Sequence, residues 1–404
     1  MKIAVFIKAT TFHKGHGGLE IQNRTICEEL VKRGHVITVF SPKKELDLKN
    51  TVEKGVNYVF VDAEYTKYLI SPFRKNSWNK KSLKVFTKYH KINKFDLVLS
   101  QSASAESIIQ NKNDLGIKVV SIAHGSAASE YVTFFRNMNS IKDVVWLLRN
   151  TQYFIRQYFG RQRNFVLHSD KVIAVSNYVK KALMDETFVP ENRVEVIYNG
   201  INSSDFNDLV IRDKSSNTGK KAKIKLYFLG RVEKSKGIFT VLDIVKKIDE
   251  PFSLYVVGEG LDLSKAKEKA KKLGLADKVI FEGKYTREEI VELYKSELLK
   301  PDIFVFPTKR IEGFPMVLVE CMFAGIPIVA FNMGGVSDAV EDRKTGYLVK
   351  DGDTKEFRVK LVSLMENDSL RYEFGINARE KALKLFTLDK MIDSYEQVFK
   401  EVLK

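Results

Sequence analysis

Arg310-Ile-Glu-Gly-Phe-Pro-Met-Val-Leu-Val-Glu320, continued by Cys-Met-Phe-Ala-Gly325, has the pattern of a loop that enters a buried helix. Just before it, Ile303 to Phe306 is apolar and partly β-branched, the pattern of a short buried strand. Pro315 suits the first position of a helix, and Gly325 with Pro327 should stop that helix about ten residues later. From Met316 to Ala324 the helix is apolar except for Glu320, and a carboxylate there is costly unless something binds it. Glu312 lies in the loop eight positions earlier. Strand, Gly-Phe-Pro loop and helix start together make a site for an anion or for sugar hydroxyls, because the first amides of a helix have no partner within it. The plainer alternative is that Glu320 bonds nearby backbone and Glu312 is a solvated loop acid.

Working outward, a strand–loop–helix unit of this kind recurs along the chain. Residues 1 to 200 alternate short apolar strands with helices, beginning with Lys2 to Ile7, a loop holding Gly15, Gly17 and Gly18, and a helix from about Leu19 to Arg33. Further strands are expected at His35–Phe40, Tyr58–Val61, Leu97–Ser100, Val119–Ala123, Val172–Val175 and Val194–Ile197. Polar residues from Asn202 to Lys221 read as a linker. A second series follows at Lys225–Leu229, Leu254–Val257, Val279–Phe281, Ile303–Phe306 and Ile328–Phe331, and the tail from about Asp353 is mostly helical. Alternating β and α elements predict an α/β fold of two doubly wound, Rossmann-like domains, with ligand loops at the carboxyl ends of the strands.

At 404 residues, two domains are the expectation on length alone. No apolar run reaches the length of a transmembrane helix, and Met1-Lys-Ile-Ala-Val-Phe-Ile reads as a strand rather than a leader, which points to a cytoplasmic protein. Cys27 and Cys321 both fall in expected helices, as buried thiols of a reducing compartment would. The histidines, His13, His16, His35, His90, His124 and His168, lack ligand spacing, so no metal is expected. Of the net charge of +16, residues 1–200 carry +13, from 31 Lys+Arg against 18 Asp+Glu.

Several strand ends carry further candidates. Gly230-Arg-Val-Glu-Lys-Ser-Lys236-Gly237 ends a strand and precedes a helix expected from Gly237 to Ile248, so Arg231 and Lys236 would flank a helix start as a phosphate cradle. A solvated basic loop is the alternative. Gly258-Glu-Gly260 would let a ligand approach closely, and Phe281-Glu-Gly283-Lys-Tyr285 could border a base. In the first half, Gly17-Gly18 opens a helix, but Gly-x-Gly-x-x-Gly is not met because position 20 is Glu. Ser41-Pro42 stands where a dinucleotide site would carry an acid, which weighs against a nicotinamide enzyme. His124, between a strand and Gly125, should project from the carboxyl edge of the sheet. Asp351-Gly-Asp353 spells a metal–nucleotide motif, but a turn with Asp353 as a helix cap explains it better.

Together these motifs resemble the retaining glycosyltransferases of family 4, which have the GT-B architecture of two Rossmann-like domains facing a central cleft. The marks are Gly17–Glu20, Arg33-Gly-His-Val-Ile, His124-Gly125, Ser176-Asn-Tyr-Val, Asn199-Gly-Ile, Gly230-Arg231 with Lys236-Gly237, Gly258-x-Gly260, and Glu312-Gly-Phe-Pro with Glu320. The resemblance implies an acceptor-binding domain over 1–200, a nucleotide-sugar donor domain over 201–385, and a helix over 386–404 crossing back to the first domain. It implies that Arg231 and Lys236, with Gly230 and Gly258, hold the donor diphosphate, and that Glu320 holds the ribose. Glu312 and the backbone of Gly313, Phe314, Pro315 and Met316 would contact the transferred sugar, Gly17 and Gly18 the phosphates, and His124 the sugar. The expected activity is metal-independent transfer of a hexosyl group from a nucleotide-diphosphate sugar, UDP-linked by preference, with no separate cofactor. The expected acceptor is a lipid-linked sugar, glycolipid or polysaccharide precursor. Leu388 and Cys321 depart from the tryptophan and alanine common in the family. A binding protein that no longer transfers, a phosphorylase and an epimerase are the alternatives.

Basic and aromatic residues interleave twice in the first half. Arg74, Lys75, Lys80, Lys81, Lys84, Lys88, Lys91 and Lys94 run among Phe73, Trp78, Phe86 and Tyr89. Arg136, Lys142, Arg149, Arg156, Arg161 and Arg163 run among Trp146, Tyr153, Phe154, Tyr158 and Phe159. Such spacing suits a peripheral anionic membrane surface, the alternative being a solvated lysine face over a core helix. No nucleic-acid-binding motif is present, and no nucleic-acid partner is expected.

Overall fold

A computed structural model describes residues 1–15, 17–43, 47–63, 77–138, 140–209, 211, 223–296 and 298–404. The chain forms two compact units, one of residues 1–131, 138–199 and 391–404, the other of 132–137 and 200–390.

Among the described residues the first unit has eight strands: β1 Lys2–Phe6, β2 Val36–Pro42, β3 Thr51–Glu53, β4 Val56–Val61, β5 Leu97–Gln101, β6 Lys118–Ala123, β7 Lys171–Ala174 and β8 Val194–Val196. Their order across the sheet is β3-β4-β2-β1-β5-β6-β7-β8. All neighbours are parallel except β3 against β4. Parallel strands covered by helices on both faces read as continuous apolar runs, and β1 and β5 are buried almost throughout. The order reverses between β1 and β5, so the carboxyl ends of this pair form the crevice in which such sheets bind ligands. Phe6 stacks on Phe40 at 5.0 Å and meets Phe86 edge-on at 5.7 Å, an aromatic cluster under helix Trp78–Ile92.

That helix shows how the first basic stretch is arranged. Trp78 and Phe86 are fully buried in the core, while Lys80, Lys81, Lys84, Lys88 and Lys91 point to solvent. The interleaving is the two sides of one amphipathic helix. Phe73, Arg74 and Lys75 lie outside the described residues.

The second unit holds β9 Ile224–Leu229, β10 Phe252–Val257, β11 Val279–Gly283, β12 Ile303–Phe306, β13 Ile328–Phe331 and β14 Gly346–Val349. All are parallel, in the order β11-β10-β9-β12-β13-β14. Here the order reverses between β9 and β12, so the loop holding Arg231 and Lys236 and the loop holding Glu312 leave from adjacent strands at the switch point.

Four local expectations are corrected. The key helix runs Met316–Phe323, so Pro315 precedes it rather than occupying its first position. The helix after Lys236 is Ile238–Val245, shorter at both ends than expected, because Gly237 adopts φ +85° and the last turn breaks at Lys246. Residues 202–209 are not free linker: Phe206 and Leu209 are buried, and Arg379 donates to the Phe206 carbonyl at 2.9 Å. The rest of that polar segment, apart from 211, lies outside the described residues. The first helix opens one residue early, at Gly18. Asp353 caps helix Thr354–Glu366, its carboxylate accepting from the Glu356 amide at 2.9 Å.

The last helix, Leu388–Leu403, joins the first unit from Met391 onward. Ile392, Tyr395 and Phe399 are fully buried, and Glu396 meets the His35 imidazole at 2.7 Å. No described helix is long and apolar enough to cross a membrane. Fully burying one large apolar side chain is worth about 1.5–3 kcal/mol, so this helix contributes a sizeable part of a typical domain's stability. Phe399→Ala should therefore cost about 3–5 kcal/mol by denaturant titration, whereas a change within about 0.5 kcal/mol would show the helix to be only loosely attached.

Candidate active site

Two backbone contacts stitch together the switch-point loops of the second unit. Lys309 N donates to Ser235 O at 2.9 Å, and Gly237 lies so close to the β12 end that an added Cβ would fall 1.8 Å from Pro307 O. With φ at +85° as well, position 237 admits glycine alone. From the far side, Gly335 N donates to Glu312 O at 2.8 Å, which fixes the backbone of Glu312.

The stitching brings together two of the predicted residues, 76 positions apart. Lys236 Nζ donates to Glu312 Oε1 at 2.6 Å, and Thr308 Oγ1 donates to the same oxygen at 3.3 Å. Both charged side chains are mostly buried, at 19% and 12% exposure. Charge-assisted bonds sheltered from water hold their geometry better than exposed ones. Glu312 Oε2 accepts no hydrogen bond from the described residues, so one oxygen stays available to a ligand hydroxyl.

Arg231 stands apart from this pair. Its guanidinium meets Glu233 Oε1 at 3.0 Å and is more than half exposed. An exposed pair of this kind contributes little to stability, so Arg231 is readily released to an incoming anion. Gly230 has φ +146° and open space where a Cβ would sit.

Gly258 and Gly260 have a different explanation from the one expected. A Cβ on Gly258 would fall 1.9 Å from Gly230 O, and one on Gly260 2.4 Å from Val232 O. The close approach these glycines permit is therefore that of their own loop to the Arg231 loop. Phe314 is likewise internal, its ring buried and edge-on to Phe386 at 5.3 Å.

Glu320 sits in a second cluster that the sequence did not announce. Arg287 spans two carboxylates, reaching Glu320 Oε1 and Asp205 Oδ2 at 3.2 Å each. Burial raises the Glu320 carboxyl above the usual range; the Arg287 cation opposes this, and Asp205 adds to it. Glu320 Oε2 accepts no hydrogen bond from the described residues. The one signal for Arg287 was its place in the first turn after Thr286, which caps helix Arg287–Lys295 together with Glu289.

In the first unit, Gly17 N donates to Glu20 Oε2 at 2.8 Å, fixing the start of helix Gly18–Lys32. His13 pins the preceding loop: Nδ1 accepts from Thr10 N at 2.9 Å, which leaves Nε2–H to donate to Pro42 O at 2.9 Å. His124 follows β6 and meets Gln101, the last residue of β5, with Nε2 2.6 Å from Gln101 Oε1. Gln101 Nε2 donates to Asn23 Oδ1 at 2.8 Å, so its Oε1 must accept and His124 Nε2 must carry the proton. Nδ1 of His124 is then an acceptor, suited to a hydroxyl. Among the described residues no cluster of side chains has the makings of a metal site.

Residues 16–205 match the family model described as Glycosyltransferase Family 4, and residues 211–381 match Glycosyl transferases group 1. An uncharacterized glycosyltransferase of Methanocaldococcus jannaschii is 26% identical over 96% of this chain and 95% of its own. A capsular polysaccharide biosynthesis glycosyltransferase of Staphylococcus aureus is 26% identical over 58% of this chain and 62% of its own. The fold is shared with the Anabaena protein HepE in complex with UDP, at a TM-score of 0.75 and 17% identity, covering 99% of this chain and all of that one.

Burial holds the His124 imidazole down to about 4, against an ordinary 6.5. The folded state therefore binds this proton less readily than the unfolded chain, and the stability His124 provides, full above pH 6.5, falls as pH drops toward 4. An NMR titration should find its ring neutral down to about pH 5; protonation near pH 6.5 would contradict the arrangement. Gly237→Ala should destabilise the chain by more than about 1 kcal/mol in thermal melts, and an unchanged melting temperature would mean the two loops are not stitched as described.

Proposed function

Because the chain belongs to the group 1 and family 4 glycosyltransferases, we propose that it moves a hexosyl group from a nucleotide-diphosphate sugar to a hydroxyl of a cell-surface polysaccharide or lipid-linked precursor. The observation that carries this reading is the Lys236–Glu312 pair at the β9/β12 switch point, with Arg231 on the same loop.

As the glycosidic bond breaks, negative charge grows on the departing diphosphate. Arg231 and Lys236 supply positive charge for it, the task a divalent ion performs in other transferases, and this is the basis for proposing a metal-independent reaction. Glu320 Oε2 is assigned to the ribose hydroxyls. Glu312 is assigned to hydroxyls of the transferred sugar through its second oxygen, with backbone from Gly313 to Met316 alongside. Since Glu312 Oε1 already holds Lys236 and Thr308, its role is to bind and to balance charge rather than to form a covalent bond. Retention of the anomeric configuration then follows from acceptor attack on the face the diphosphate leaves. His124 is assigned to a sugar hydroxyl through Nδ1, and Gly17 and Gly18 to the diphosphate.

UDP is the preferred nucleotide on the strength of the UDP complex of HepE, and the acceptor class on that of the capsular relative. The test is a calorimetric screen of nucleoside diphosphates and their sugars, followed by release assays with lipid extracts as acceptor. Binding of one nucleotide-sugar and its acceptor-dependent release are expected; binding of none would end the proposal. Arg231→Ala should lower turnover on the order of 10²-fold, as loss of an oxyanion donor does. Glu320→Gln should weaken nucleoside diphosphate binding with turnover at saturation less affected, and an unchanged Kd would remove Glu320 from the site.

A further inference from the structure

Helix Ile141–Ile155 has apolar residues on both of its sides. Its inner side packs into the first unit: Asn150, Tyr153 and Phe154 are buried, and Trp146 meets the Phe154 ring at 6.4 Å. Its outer side carries Ile141, Val144, Val145, Leu148 and Ile155, spaced so that all fall on one stripe. They are exposed, Ile141 at 82%, Leu148 at 70% and Ile155 at 52%. Phe159, in the π-helical turn Arg156–Gln162 that follows, is also exposed, at 67%. Thr151 and Gln152 interrupt the outer side between Leu148 and Ile155; a single exposed leucine needs no explanation, but five exposed aliphatic residues on one side of one helix do.

Cations border the stripe. Lys142 and Arg156, fourteen residues apart, lie along one flank of the helix. Lys142 and Arg156 are exposed. The helix's one acid, Asp143, is engaged at its start, accepting from Ser140 N at 3.0 Å and Ser140 Oγ at 2.8 Å.

We propose that this helix lies flat on an anionic lipid bilayer, its aliphatic stripe in the acyl boundary and its flanking cations on the headgroups. Charge complementarity selects this occupant. A second copy docked by twofold symmetry would bring the same cations to the interface, whereas anionic lipid neutralises them. At 15 residues the helix is roughly 22 Å long, too short to span a bilayer and suited to lying on one. The surface is separate from the nucleotide-sugar reading, so either can fail without the other.

Flotation of the full chain with phosphatidylcholine vesicles, with and without phosphatidylglycerol, tests this at about 50 mM and about 500 mM salt. Binding is expected only with phosphatidylglycerol, weaker at high salt, and reduced roughly 10-fold or more by Leu148→Asp with Ile155→Asp. Should the charged variant misfold, Leu148→Ser with Ile155→Ser carries the same test, with circular dichroism to verify folding. Lys142→Gln with Arg156→Gln should flatten the salt dependence. No binding at low salt, or binding indifferent to the stripe variants, overturns the proposal. So does loss of binding on Lys80→Gln, Lys84→Gln and Lys88→Gln alone, or a dimer that the stripe variants dissolve without any vesicle binding.

Discussion

The contact on which the second unit is organised is the 2.6 Å bond between Lys236 and Glu312. Neither side chain would be tolerable alone at its burial, since an unpaired charge out of water is expensive. Their partnership depends on two loops meeting at one sheet edge, and those loops meet because β9 and β12 are neighbours whose crossovers run opposite ways. Gly237, Gly258 and Gly260 then let three stretches of backbone approach without a side chain between them. The charge pair is thus a result of topology first and of chemistry second. The pair stands at the switch point and engages only one oxygen of Glu312, which is the ground for the proposal that it meets a ligand.

The two acids of the key stretch have separate surroundings. Glu312 is held by a lysine and a threonine hydroxyl from its own sheet edge, whereas Glu320 is held by Arg287, which also grips Asp205. Burial raises the Glu320 carboxyl, and the Arg287 cation beside it opposes that rise. Asp205, in the turn Ser203–Phe206 just after the unit boundary, steadies Arg287 in turn. The segment that leads into the second unit therefore helps to hold Arg287, and through it Glu320.

The strands were the most legible elements, because buried parallel strands are short apolar runs with sharp ends. Ile303–Phe306 and Ile328–Phe331 lie where their composition places them. Thr51–Glu53 is not legible, because three residues at a sheet edge, two of them exposed, carry no periodicity. The π-helical turn at Arg156–Gln162 has no sequence signature either. Within the site, Glu312, Glu320, Lys236 and Arg231 could be singled out because charge beside glycine at a strand end is unusual. Arg287 could not, since its role depends on a contact 33 residues away in sequence. Gly258 was visible as a special position, but its reason was not, because glycine serves backbone–backbone and backbone–ligand contact alike.

The two basic–aromatic stretches show why the same composition can have two physical outcomes. In helix Trp78–Ile92 the aromatic residues Trp78 and Phe86 are consumed by the core, and the exposed positions are lysines with a single apolar residue, Ile92, at the end. In helix Ile141–Ile155 the aromatic residues are also turned inward, yet five aliphatic residues remain on the outside. Burying one stripe satisfies a surface helix; a second stripe stabilises nothing until something covers it. Sequence spacing reveals that both stretches are amphipathic, but only the direction each helix faces tells which has apolar surface to spare. That surplus, edged by cations and lacking free acids on its own helix, is what separates a solvated face from a lipid-facing one.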